Sequence, residues 1–101
     1  MKKINVLVLS EDEDLLRKSK MGFASYGDEV EMFIPQTVDE AIAISEKVGI
    51  QICVIDADMP MTIEFVKMLK KKNPTLQVIA AGSCAERFYR EIEEDEEVPV
   101  V

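Results

Sequence analysis

The stretch Ile52-Cys53-Val54-Ile55-Asp56-Ala57-Asp58-Met59-Pro60 constrains the fold more than any other part of the chain. Four apolar residues run without interruption into an aspartate. That is the pattern of a strand buried on both faces of a parallel sheet and ending at the sheet's carboxyl edge. Ligand chemistry in open α/β sheets collects at that edge, so Asp56 stands where a carboxylate can be functional. Pro60 stops the strand and fixes the loop backbone. Aspartate is also a common turn residue, and capping the following turn is the competing role for Asp56.

The 101 residues supply one core and not two, so the expectation is a single domain over 1–101. With 48% hydrophobic and 32% charged residues, the chain is not of the disordered class. A net charge of −8 without histidine disfavours nucleic acid, because phosphate binding needs clustered Lys and Arg. A partner with a basic surface, or a divalent cation, suits it better. Two cysteines make no disulfide framework, and Cys53 in the buried strand behaves as a small hydrophobe, which points to the cytoplasm. The apolar run after Lys3 imitates a signal peptide, but Ser10-Glu11-Asp12-Glu13-Asp14 interrupts it too early. No stretch is long enough to cross a bilayer, so no membrane partner is expected.

Ile4 to Leu9 reads as the first buried strand. The acidic cluster after it opens a helix, with Ser10 and Glu13 at capping-box spacing and Gly27 as the stop. Glu29 to Ile34 alternates like a half-buried strand nearer the edge, and Thr37 to Glu40 caps a second helix facing inward through Ala41, Ile44 and Val48. After Pro60, Thr62 is placed to cap a third helix with Phe65, Met68 and Leu69 inward. Asn73-Pro74 turns the chain into a fourth strand, Leu76 to Ala81, and Ser83 to Glu86 is a further capping box before a helix with Ala85, Phe88 and Ile92 inward. Glu93 to Glu97 faces the negative pole of that helix and predicts fraying. Val98-Pro99-Val100-Val101 then reads as the start of a fifth strand. Met32, Met59, Met61 and Met68 are either core filler or a soft binding surface, and Tyr89 is placed for an interface.

This alternation predicts an α/β, doubly wound parallel sheet of four to five strands without the last helix. Strand ends then bring the acidic cluster beside Asp56. Packed carboxylates repel, so either their pKa values rise or a cation joins them. Oxygen ligands without histidine favour Mg²⁺. A glycine-rich phosphate cradle is absent after the first strand, against a flavodoxin or dinucleotide site.

Over nearly its whole length the chain resembles the receiver domain of bacterial two-component response regulators. The resemblance rests on the first strand running into an acidic pair, on apolar-Asp-x-x-Met-Pro at Asp56 to Pro60, and on the asparagine-proline turn before the fourth strand. It implies that Asp56 accepts a phosphoryl group from a histidine kinase or phosphotransfer protein in the presence of Mg²⁺, in a regulatory domain and not an enzyme. The Mg²⁺ ligands it implies are Glu11, Asp12 and Asp56, with the backbone carbonyl of Asp58. Stricter matching of strand ends puts the pair on Ser10 and Glu11; the first choice supplies two carboxylates.

Three departures stand beside the matches. The glycine-containing loop after Met-Pro is two residues shorter here. The family's switch Thr or Ser falls on Gly82, with Ser83 one residue later. The lysine that closes the family's fifth strand has no counterpart. Together they predict a degenerate receiver that works chiefly through protein–protein contacts, with a downstream partner or fused output domain. Leaving four or five large side chains bare where the last helix belongs would forgo about 1.5–3 kcal/mol each. The chain is therefore expected to be a fragment of a longer protein, or to be covered by another subunit, a homodimer among the choices. A rival enzyme reading starts from Asp56 and Asp58 with Glu11, a set similar to toprim nuclease and primase domains, which transfer phosphoryl groups with metal ions. A haloacid-dehalogenase-like site fits less well, because its Asp-x-Asp follows the first strand and not the third.

Overall fold

Apolar runs bounded by turn residues alternate with amphipathic segments along the chain, and each becomes an element of one layered sheet. The structure, a computed structural model, describes residues 3–95. Its order is β1 (Ile4–Leu9), α1 (Glu13–Ala24), β2 (Val30–Phe33), α2 (Val38–Lys47), β3 (Ile52–Asp56), α3 (Thr62–Lys72), β4 (Gln77–Ala81) and α4 (Ala85–Glu94), with a 3-10 turn at Gly27–Glu29. All strand pairs are parallel, in the order β2-β1-β3-β4. This is the doubly wound, flavodoxin-like arrangement that the alternation predicts. The fifth strand expected at Val98 to Val101 lies outside the described residues.

The two faces of the sheet are covered unequally. Leu7, Leu9, Cys53 and Ile55 pack on one face against Ala41 of α2, Phe65, Val66 and Leu69 of α3, and Phe88 and Ile92 of α4. On the other face Val6, Val8 and Val54 meet Leu15, Leu16 and Phe23, all from α1. Ile4 and Ile79 share the parity of that second face and remain 43% and 49% exposed. Met32, Met59 and Met68 pack against the two cores as filler, whereas Met61 is exposed. Among the described residues no helix is long and apolar enough to cross a membrane.

Helix starts differ from the sequence pattern at α1, α3 and α4. Thr37 caps α2 as expected, accepting from Glu40 N at 3.1 Å, although Glu40 reaches back to Gln36 N and not to Thr37. The expected box at Ser10 and Glu13 does not form. Asp12 caps α1 by accepting from Asp14 N, because Ser10 is buried at the strand end and its hydroxyl is held by Asp56. Thr62 is likewise buried inside α3, its hydroxyl donating to Met59 O at 3.0 Å, while Met61 takes the cap position at φ 67. The box at Ser83 and Glu86 is replaced by a carboxylate from another loop. α1 also stops at Ala24, before the expected stop at Gly27, with Ser25 as its C-cap and Gly27 at φ +58 turning the chain.

β4 ends the sheet. Gln77 donates to Gln51 O, and Ala81 accepts from Ala57 N, so the backbone groups of Val78 and Ala80 point away from β3. The Tyr89 hydroxyl accepts from Ala80 N at 2.6 Å and donates to Val78 O at 3.5 Å. Tyr89 thus turns its polar end to the sheet's own edge while staying 38% exposed. Its neighbour Phe88 is among the largest fully buried side chains. Phe88→Ala is expected to cost about 3–5 kcal/mol, seen as a lower urea midpoint with little change in slope.

Candidate functional site

The strand order reverses between β1 and β3: the chain leaves β1 towards β2 on one side and returns to β3 on the other. In open parallel sheets the crevice at such a point, beyond the carboxyl ends of the strands, is where ligands bind. Leu9 pairs with Ile55, which brings the next residues, Ser10 and Asp56, together. Both are nearly buried, at 6% and 9% exposure. Ser10 Oγ donates to Asp56 Oδ2 at 2.9 Å and itself accepts from Asp12 N at 2.9 Å. Asp56 Oδ1 accepts from Asp58 N at 3.0 Å. Both carboxylate oxygens are therefore engaged, as a buried carboxylate requires.

Asp56 opens onto a cavity of about 180 Å³ that Asp12, Asp14, Lys18, Asp58 and Gly82 also line. Of the acidic pair expected at Glu11 and Asp12, Asp12 reaches the cavity while Glu11 is not among its lining residues. Of the stricter pair, Ser10 is the residue that touches Asp56. Among the described residues no group of three His, Cys, Asp or Glu side chains converges closely enough to hold a metal ion. Lys18 escaped the sequence reading. It lies within 3.0 Å of Asp14 one helical turn earlier, and that spacing in the α1 sequence is the signal that could have placed it at the cavity.

The cavity's far wall is built by Asp58. Its carboxylate accepts from Ser83 N at 3.0 Å, Ser83 Oγ at 3.1 Å and Cys84 N at 2.9 Å, and so caps α4 from the β3–α3 loop. The Ser83 N–H above all, then the Cys84 thiol and N–H, hold the Asp58 carboxyl below its ordinary value of 3.8. Gly82 makes the approach feasible: it sits at φ +102, and a Cβ there would lie 2.6 Å from Asp58 Oδ2. The two residues expected at the switch position, Gly82 and Ser83, thus both lie against the Asp58 side chain, whereas the group expected of Asp58 was its backbone carbonyl.

Comparison with known proteins finds no family model that matches the chain, and no curated protein matches it.

Gly82→Ala is expected to destabilise the fold by about 1–3 kcal/mol through backbone strain, measured by urea unfolding, and to push Asp58 off the helix. A carboxyl with a depressed folded pKa stabilises the fold above its unfolded value and loses that effect as pH falls through the folded one. The stability gap between the native protein and Asp58→Asn should therefore be present at neutral pH. It should close below about pH 3.8 in unfolding curves taken at stepped pH.

Proposed function

We propose that the chain is a receiver-like signalling domain in which Asp56 is the phosphoryl-acceptor position and protein–protein contact is the main output. The observation that carries this reading is the placement of Asp56. It is a nearly buried carboxylate at the carboxyl end of β3, at the switch point, opening onto a cavity shared with Asp12 and Asp58. In the acceptor reaction a carboxylate oxygen of Asp56 forms the bond to phosphorus while the bond from phosphorus to the donor's leaving group breaks. A carboxylate nucleophile carries no proton to lose, so its attack needs no base. Ser10 Oγ and Asp58 N orient the carboxylate, each taking one lone pair of its oxygen and leaving another for the attack.

The donors fit Mg²⁺ in a restricted way. Asp56 and Asp12 would hold it, with waters filling the remaining positions, which is how Mg²⁺ is usually bound. When bound, it would supply positive charge to the transferred group. A phosphoryl group adds about −1.5 to −2 charges to a wall that already carries Asp12, Asp14 and Asp58. Among the described residues, the lining offers Lys18 as a counter-cation, and it is already paired with Asp14. Acceptance is accordingly slow, and the interaction surface carries the signal. The upstream partner is a histidine kinase or phosphotransfer protein. The downstream partner is a protein with a basic surface, or a fused output domain, in the cytoplasm.

The test is intact mass after incubation with acetyl phosphate and Mg²⁺. The native protein should gain one phosphoryl group slowly and Asp56→Asn none; no gain in the native protein removes Asp56 from the acceptor role.

A further inference from the structure

The corner between β4 and α4 already holds an anion, and that anion belongs to the chain itself. Two N–H groups at a helix start and one hydroxyl form a donor set suited to a phosphate or carboxylate. Here Ser83 N, Ser83 Oγ and Cys84 N all close on the Asp58 carboxylate, at 3.0, 3.1 and 2.9 Å. On its other side the same residue donates its N–H to Asp56 Oδ1 at 3.0 Å. One residue therefore joins the candidate acceptor to the start of α4.

An ordinary cap would not need this reach. The residue before α4 is Cys84, which makes no side-chain cap, and Ser83 carries a hydroxyl of the usual capping type. That hydroxyl donates instead to a carboxylate 25 residues earlier in the chain. Gly82 at φ +102 leaves the space the carboxylate occupies. A local cap was at hand, and the fold uses a distant anion.

We infer that Asp58 is a built-in anion that fixes the start of α4 in the position a phosphoryl group on Asp56 would otherwise have to impose, so that the α4 face is presented without phosphorylation. The inference rests on the receiver-like reading for the group being replaced, and on the Asp58 contacts alone for the replacement. A phosphoryl group on Asp56 would enter the cavity that the Asp58 carboxylate also lines, where the like charges repel, while the donors at the α4 start are already engaged by Asp58. The contacts at the α4 start are thereby made before any chemistry at Asp56.

Amide spectra and amide exchange of the native chain, Asp58→Ala, Asp58→Asn and Asp56→Asn test this. Asp58→Ala should shift the Ser83 and Cys84 amides, remove their protection and carry the first turn of α4 with them. Asp58→Asn keeps an acceptor oxygen without the charge and should fall between, which preserves the test if the alanine variant does not fold. Asp56→Asn should leave these amides protected. Native protein that has gained a phosphoryl group by mass should keep both amides in place. The inference is overturned if removing the Asp58 carboxylate leaves the two amides unmoved, or if phosphorylation moves them as far as Asp58→Ala does. Should the mass register no phosphoryl group, the acceptor reading fails, while the Asp58 variants still decide this one.

Discussion

The pairing of β1 with β3 is the contact on which everything else in the domain depends. Each strand contributes residues to both cores, since Leu7, Leu9, Cys53 and Ile55 look one way and Val6, Val8 and Val54 the other. A parallel pair so placed cannot be joined by a tight turn, so the chain must travel over the faces through helices. The same pairing brings Ser10 against Asp56 one residue beyond the last matched pair. Core and candidate site are therefore set by one register. A slip of one residue would turn the apolar set of each strand to the opposite face and separate the two polar groups.

Charge is the second organising constraint. Four aspartates line one small cavity, and the structure accommodates them by giving backbone donors to three: Asp12 receives Asp14 N, Asp56 receives Asp58 N, and Asp58 receives two N–H groups of the α4 start. Asp14 has Lys18. The repulsion that makes a metal attractive in a bare acidic cluster is thus largely met by the chain's own dipoles. A cation arriving here would compete with hydrogen bonds already made.

Much of the fold was legible because strand identity follows from uninterrupted apolar runs, and the runs at Ile4 to Leu9 and Ile52 to Asp56 became strands with those bounds. The inward faces of α3 and α4 followed from helical spacing and held at Phe65, Leu69, Phe88 and Ile92. Caps were less legible, for a physical reason. A capping box is a local pattern, but a hydroxyl or helix start goes to the strongest nearby partner, and only the tertiary fold says who is near. Ser10 went to Asp56, and the α4 start went to Asp58. The same limit applies to the acidic run after β1, where spacing cannot say which residue turns inward; Ser10 turns to Asp56 and Asp12 to the cavity, and Glu11 is not among the cavity's lining residues. The Asp58 side chain was the main omission, and its trace in the sequence, a glycine-serine step at the end of the fourth strand, has meaning only once β3 and β4 are known to be neighbours.

Among the described residues β4 is an edge strand, and the way its outer side is covered has a consequence for the sheet. Edge strands are commonly protected by proline, by charge or by a bulge. Here the strand is Gln77-Val78-Ile79-Ala80-Ala81, which carries none of the first two, and a phenol stands at its outer backbone groups instead. A stopper of that kind is held by two hydrogen bonds and leaves by rotation about a side-chain bond. The width of the sheet is then a matter of local competition between a hydroxyl and an incoming backbone, and not a limit written into the strand itself.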